Sequence, residues 1–103
     1  MMNNQQELDK IFRKILGSSN VYFQPPENVR MKYPAIRYER DGFETIRADN
    51  GLYQIWSRYE VTLIDSNPMS SAINELLVLD YCKYDRHYVS DNLNHDVFTI
   101  CTK

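Results

Sequence analysis

The chain has 103 residues, a formal net charge of −2 and eight tyrosines. This length fits one domain spanning residues 1–103, in which about two-thirds of the unfolded surface is buried around a single core. The 12 Lys and Arg nearly balance the 14 Asp and Glu and form no basic run, which argues against a nucleic-acid-binding surface.

Two further classes are disfavoured by local composition. Residues 1–6 are polar, so we expect no secretory signal peptide. No segment approaches the ~20 apolar residues of a membrane-spanning helix, so no membrane partner is expected. Cys82 and Cys101 have no motif spacing, which indicates two reduced thiols in a cytoplasm.

A helix is predicted near the start of the chain, over residues 5–16. Its apolar residues recur at helical spacing and define one face: Leu8, Ile11, Phe12, Ile15 and Leu16. Charged residues occupy the other face, and Gly17 is expected to end the helix. Such a helix must pack on another element to bury its apolar side.

Several segments have strand character, and turn residues separate them. The predicted strands are residues 21–23, 33–40, 43–47, 53–63, 82–90 and 95–101. Pro25 and Pro26 stop the first strand. We expect Asp41-Gly42 to form a hairpin turn, residues 49–51 to form a second turn, and residues 91–94 to join the last two strands.

Strand 53–63 alternates most clearly. One parity carries the expected core residues Tyr53, Ile55, Tyr59, Val61 and Leu63. The other parity carries Gln54, Trp56, Arg58, Glu60 and Thr62.

A second helix is predicted over residues 68–79. Asn67 provides an N-cap, and Pro68 suits the first helical position. The side chains expected to face inward are Met69, Ile73, Leu76 and Leu77.

This order of elements predicts an α+β fold. The expected architecture is a two-layer sandwich, in which an antiparallel or mixed sheet of four to five strands carries two helices on one face. The other face is then left for water or a partner.

Two histidines, His87 and His95, lie in an acidic segment, but a metal site is not predicted. If Ser90 pairs with His95, the two histidines point to opposite faces and serve as structural hydrogen-bonding groups. The same register sets Cys82 diagonal to Cys101, which disfavours a disulfide.

No motif for catalysis or cofactor binding is present. The chain has no phosphate-binding loop, no nucleophile elbow and no zinc-ligand spacing. We therefore predict no catalytic residue, no cofactor and no metal, and we expect that the protein is not an enzyme.

Trp56 indicates a binding surface. It lies on the polar parity of its strand beside Arg58, and Trp and Arg are enriched at the centres of interfaces. Local packing beneath the loop of residues 25–31 is the other explanation. The candidate residues for an oligomer or partner interface are Trp56, Arg58, Glu60, Arg37, Tyr33, Pro25 and Pro26.

Four segments occur in an informative order. They are Phe-Gln-Pro-Pro (23–26), Tyr-Pro-Ala-Ile-Arg-Tyr (33–38), Tyr-Glu-Val-Thr-Leu-Ile-Asp (59–65) and Asp-Asn-Leu-Asn-His-Asp-Val-Phe (91–98). Through them the chain resembles, over residues 8–99, the tail-terminator or tail-completion proteins of tailed bacteriophages and prophages, which are similar to lambda-type tail terminators. One departure is the region of Met69, where the resemblance leads us to expect an acidic residue.

The resemblance implies a structural protein of the virion tail and neck that is assembled in the host cytoplasm. It implies a homohexameric ring that caps the tail tube, ends its polymerisation and joins it to the head and neck. The implied partners are other copies of the chain, the tail tube protein and a neck or head-completion protein. DNA would pass through the ring without specific binding. The alternatives are a head–tail connector or adaptor and, more distantly, a small cytoplasmic enzyme or toxin.

Overall fold

The structure, a computed structural model, describes residues 4–49 and 51–102, except for the side chains of residues 52 and 53. The elements in chain order are α1 (Asn4–Leu16), β1 (Val21–Phe23), β2 (Ala35–Ala48), β3 (Gly51–Asp65), α2 (Ser71–Leu77), β4 (Cys82–Ser90) and β5 (Leu93–Thr102). The five strands form a sheet in the order β1-β2-β3-β5-β4. β1 and β2 are parallel, and the other neighbours are antiparallel. The predicted α+β fold with a mixed sheet and two helices is confirmed.

The core lies between the two helices and one face of the sheet, called the helix face. The sheet contributes Ile36, Tyr38, Tyr59, Val61, Leu63, Phe98 and Ile100 to this core. Leu8 and Phe12 enter it from α1, and Leu76 enters it from α2. Phe12 is fully buried, with its ring edge-on to the ring of Tyr38 at 5.1 Å.

The apolar face predicted for α1 is largely the face that packs. Besides Leu8 and Phe12, Ile15 and Leu16 pack partly buried against the core. Ile11 is 38% exposed, because it lies at the border of the packed face.

Two buried tyrosines tie the first turns of α1 to the sheet. The Tyr38 hydroxyl donates to Asp9 Oδ2 at 2.6 Å and accepts from Gln5 Nε2 at 2.7 Å. The Tyr59 hydroxyl donates to Asn4 Oδ1 at 2.9 Å. Burial raises the pKa of both phenols, and the bond to Asp9 raises that of Tyr38 further. Each phenol thus buries its ring while keeping its polar tip hydrogen-bonded.

The predicted hairpin turn at Asp41-Gly42 is wrong. β2 continues from Ala35 to Ala48, and its pairing with β3 shifts register between Arg40 and Gly42. The Asp-Gly pair therefore marks a β-bulge, a feature that glycine permits as readily as a turn. The chain reverses later, where Asp49 has a φ of 51°; Asn50 of the predicted second turn lies outside the described residues.

α2 is shorter than predicted and begins at Ser71. Ser70 caps the helix, since its Oγ accepts from the backbone N–H of Ala72 at 3.3 Å. The predicted cap, Asn67, instead accepts from the N–H of Met69 at 3.0 Å and closes a turn before the helix. Asn67 and Ser70 are both favourable N-cap residues, and Ser70 is the one that caps the helix.

The later start of α2 changes which side chains point inward. Leu76 is fully buried and Ile73 packs against the core, as predicted. The prediction is wrong for Met69, which lies outside the helix and is 82% exposed, and for Leu77, which is 42% exposed.

The predicted register of β4 and β5 is also wrong. Ser90 lies opposite Leu93, and His95 lies opposite Tyr88. The connection is a tight turn in which Asp91 and Asn92 have φ values of 53° and 63°, the left-handed backbone of a two-residue hairpin. The difference amounts to two residues for residues 86–90, which keep their predicted faces relative to β5, but to three residues before the bulge, so residues 82–84 change face.

β2 and β3 extend past the rest of the sheet as a two-stranded ribbon of residues 42–49 and 51–55. β1 pairs with β2 only at residues 36–38, and β5 pairs with β3 from Ser57 onward. The molecule measures 50 × 28 × 25 Å, and the ribbon extends along its longest axis. Phe43, Ile46 and Ile55 of the ribbon are about half exposed. The core position predicted for Ile55 is therefore wrong, and the side chain of Tyr53 lies outside those described.

No helix in residues 4–49 or 51–102 is long and apolar enough to cross a membrane.

Truncating the buried ring of α1 tests its docking on the sheet. Phe12→Ala is expected to lower the free energy of unfolding by about 3–5 kcal/mol, because it removes a fully buried ring and leaves a cavity. Urea denaturation measures this. Ile11→Ala on the same helix serves as control and should cost less than ~1 kcal/mol. Equal costs for both variants contradict this packing.

The buried phenols predict a loss of stability at alkaline pH. A tyrosine in the unfolded chain has a pKa of about 10, whereas burial raises the pKa of Tyr38 in the folded protein. Above about pH 10 the folded state therefore binds more protons than the unfolded state, and the free energy of unfolding falls as the pH rises. Urea denaturation between about pH 9 and 12 should show a shallower fall for Tyr38→Phe. Tyr33→Phe, at a 44% exposed side chain, is the control and should follow the wild type.

Candidate interaction surface

The face of the sheet opposite the helices, called the open face, carries most of the predicted interface residues. Strand register sets Arg37 opposite Thr62, and Glu60 opposite Glu39 and Thr99. Arg58 and Trp56 share the parity of Glu60 along β3. The register thus sets Glu60, Arg58 and Trp56 at one parity of β3, as the alternation along the strand predicted, and Arg37 of β2 lies on the same face of the sheet.

The loop between β1 and β2 lies beside this face. Pro25, Pro26 and Arg37 line a shallow cavity of about 260 Å³. The backbone N–H of Lys32 donates to the Tyr22 hydroxyl at 3.1 Å, which fixes the loop against β1. Tyr33, at the end of the loop, is 44% exposed and precedes a cis peptide bond to Pro34.

Trp56 is half-buried where the ribbon joins the sheet. Its ring centroid lies 4.7 Å from that of Tyr81, and its indole N–H donates to Gln54 Oε1 at 3.1 Å. It lines a cavity of about 390 Å³ together with Leu8 and Ile11 of α1. Trp56 therefore lies outside the buried core, and its local packing involves Tyr81 at the start of β4.

Arg58 braces the bulge at the base of the ribbon. Its Nε donates to Asp41 Oδ1 and its Nη1 donates to Glu44 Oε1, both at 2.8 Å. The two carboxylates raise the pKa of the guanidinium, with Asp41 as the larger cause. A Cβ atom on Gly42 would lie 2.7 Å from Arg58 Nη2. The glycine thus gives the guanidinium room to reach both acids.

The two histidines hold the ends of strands, in the structural role predicted for them. Asn94 donates through Nδ2 to the carbonyl of Asp65 at 3.3 Å, which leaves its Oδ1 to accept from His87 Nε2 at 3.0 Å. His95 Nδ1 donates to the Leu93 carbonyl at 3.1 Å. His87 and His95 lie on opposite faces of the sheet. Within residues 4–49 and 51–102, no three His, Cys, Asp or Glu side chains are placed to share a metal ion.

A buried acid on the helix face was missed by the sequence analysis. Asp96 is 6% exposed and accepts from the Tyr84 hydroxyl at 2.8 Å. Desolvation and this bond raise the pKa of Tyr84 to about 12. The sequence signal that could have found it is alternation along β5, which sets Asp96 on the same face as the core residues Phe98 and Ile100.

The cysteines point to opposite faces, so the predicted diagonal arrangement is wrong. Cys82 lies opposite Ile100 on the helix face, whereas Cys101 lies opposite Arg58 on the open face. Both thiols are free, in agreement with the expected absence of a disulfide. Burial raises the pKa of both thiols.

No protein-family model matches the chain, and no curated protein sequence matches it.

The open face offers ion pairs, hydrogen bonds and aromatic contact area, a combination suited to binding another protein.

Filling the space at Gly42 tests the two ion pairs that Arg58 makes with Asp41 and Glu44. Gly42→Ala is expected to displace the guanidinium, because the new methyl group occupies the position beside Nη2. NMR spectra of the arginine Nε–H group should show a shifted, faster-exchanging signal for Arg58. Gly51→Ala is the control, since its Cβ would lie at an ordinary 3.5 Å from the Ala48 carbonyl. An unchanged Arg58 signal in Gly42→Ala contradicts the position of the guanidinium beside Gly42.

Proposed function

We propose that the protein is a tail terminator: a structural virion protein whose copies form a ring, most simply a hexamer, at the end of a phage tail tube. The ring ends tube polymerisation and presents a surface to the neck. The protein assembles in the host cytoplasm and remains in the virion, and its work is binding rather than catalysis.

The observation that carries this proposal is the resemblance of four segments, in order, to tail-terminator proteins. Three of these segments supply candidate interface residues: Pro25 and Pro26 from the first, Tyr33 and Arg37 from the second, and Glu60 from the third. The shape of the molecule supports the proposal as well, because the open face carries Arg37 and Glu60 while both helices pack on the other side.

A ring requires a head-to-tail interface that closes by rotation. The open face and the ribbon are the surfaces with exposed aromatic, apolar and charged side chains suited to it. The same features serve a head–tail connector, which also forms a ring layer in the neck. The two roles differ in position, since a terminator binds the tail tube and a connector binds the portal side.

Deleting the gene from its phage or prophage tests the function. A missing terminator leaves tube growth unchecked, so electron micrographs should show tails of irregular, excessive length. A missing connector should instead leave tails of normal length that do not join heads. Tails of normal length attached to heads contradict both roles. A gene for the major tail protein beside this one gives independent support.

Replacing Trp56 with Ser tests the proposed interface. The variant is expected to fold, losing ~1 kcal/mol from the ring contact with Tyr81. It should fail to complete tails, because truncating a buried interface Trp often costs about 2 kcal/mol or more of binding. Complementation of the gene deletion, followed by electron microscopy, measures this.

Tyr81→Ser is the matched control for Trp56→Ser. It removes the same local ring contact from the other side, and Tyr81 is 66% exposed. If both variants fail alike, Trp56 acts through local packing. If Trp56→Ser unfolds, Trp56 belongs to the core, and if it completes tails normally, the interface lies elsewhere.

A further inference from the structure

β4 leaves one border of the sheet unpaired. It is the last strand in the sheet order, and no strand in the described part of the chain pairs with its outer side. Residues 83–90 are all exposed. A bulge between Tyr84 and Arg86 interrupts the strand, and residues 86–90 beyond it pair with β5 in regular register. Backbone N–H and C=O groups on such an edge can pair with a further strand.

The ribbon has a second unpaired edge on the opposite border. β1 covers β2 only at residues 36–38, and the N–H of Arg40 bonds to the Gln24 side chain at 3.4 Å. Beyond the bulge, residues 42–46 pair with β3 in unbroken register. Within the described ranges, no strand pairs with the outer side of this segment. It matches residues 86–90 of β4 in length.

The two edges run in compatible directions. β4 is antiparallel to β5, which is antiparallel to β3, and β3 is antiparallel to β2. β4 is therefore antiparallel to β2. Two copies side by side in the same orientation bring β4 of one beside β2 of the other as antiparallel neighbours. Since β1 blocks only the lower part of β2, the second copy must be displaced along the strands until β4 meets the ribbon.

On the helix face, apolar side chains of the two edges would meet in this arrangement. Phe43 of β2 and Val89 of β4 both lie on this face, according to their pairing with Ser57 and Asn94. They are 51% and 61% exposed in the single chain. Side chains directly or diagonally opposite across paired strands can contact each other.

On the open face, side chains of opposite charge would face each other in the same arrangement. Glu44 of β2 and Arg86 of β4 both lie on this face, according to their pairing with Trp56 and Val97. In the antiparallel register that makes Phe43 and Val89 diagonal neighbours, Arg86 lies opposite Glu44. Within the single chain, Glu44 pairs with Arg58 and Arg86 pairs with Asp85. An acidic side chain on the ribbon of one copy thus complements a basic side chain on the border of the next.

We propose that β4 of one copy adds to the outer edge of β2 in the next copy, so that the sheet continues from chain to chain in a head-to-tail interface. The occupant of each edge is a second copy of this chain. The inference names the surface through which the ring assembles, and in that respect it rests on the proposed function. The pairing itself is a property of the isolated chain and is testable without tails.

Analytical ultracentrifugation of the purified chain at up to about 1 mM tests the interface. The wild type should associate with increasing concentration. Phe43→Lys and Val89→Lys should each weaken association by about tenfold or more, because each sets a charge against an apolar neighbour. Ile55→Lys is the control: Ile55 is 49% exposed on the same face of the ribbon, but it lies on β3. Far-ultraviolet circular dichroism verifies that each variant is folded.

Mixing the two lysine variants tests the head-to-tail arrangement. The Phe43→Lys chain keeps an intact β4 edge, and the Val89→Lys chain keeps an intact β2 edge. The mixture should therefore form a dimer of one chain of each kind and nothing larger. The proposal is overturned by a wild type that stays monomeric, by association that survives Phe43→Lys, by loss with Ile55→Lys, or by a mixture without the mixed dimer.

Two outcomes separate this inference from the proposed function. If the chain associates head to tail but tails lacking it have normal length and carry heads, the edge pairing stands and the tail function falls. If the Phe43→Lys variant still caps tails at normal length, the tail function stands and the edge pairing falls.

Discussion

The pairing of β2 with β3 is the constraint on which the rest of the structure depends. It continues through the bulge at Gly42, so one long ladder serves both as the centre of the sheet and as the ribbon beyond it. In the lower half, it sets Ile36 and Tyr38 opposite Leu63 and Val61 and so forms the floor of the core. In the upper half, the apolar side chains Phe43, Ile46 and Ile55 of the same two strands remain about half exposed.

The helix face combines apolar packing with a polar rim. Phe12 fills the space over Tyr38, while Asn4, Gln5 and Asp9 of α1 meet the phenols of Tyr38 and Tyr59. Packing alone lets a helix slide along a flat sheet, whereas hydrogen bonds at fixed points set its position and angle. The abundance of tyrosine in the chain follows in part from this arrangement, since each of these rings serves both the core and the rim.

Periodic signals predicted the fold well, and local signals predicted it poorly. The 3.6-residue repeat of α1 and the alternation of Tyr59, Val61 and Leu63 reflect burial on one side of an element, which the whole fold enforces. Asp41-Gly42 carried a turn signal that the long-range pairing of β2 overrode. Asn67 and Ser70 are both good caps, and nothing local decides between them.

The predicted surface shows the same division. Parity set Trp56 and Arg58 on the same face of β3, because parity survives errors in strand length, while Trp56 also lines a cavity with Leu8 and Ile11 of α1. The ion pairs of Arg58 with Asp41 and Glu44 depend on a bulge that parity cannot detect. The bond between Asp96 and Tyr84 was missed because an acid on a core-facing position is recognisable only when its partner strand is known.

The bulge between Tyr84 and Arg86 has a consequence for aggregation. A straight, exposed edge strand is a template for indiscriminate stacking into cross-β aggregates. The bulge breaks the regular spacing of backbone groups along β4, and Lys83 adds a charge that resists burial. A strand that approaches in an arbitrary register therefore cannot form backbone hydrogen bonds along the whole edge. The regular stretch of β4 beyond the bulge is limited to residues 86–90, which restricts the registers in which a further strand can pair with this edge.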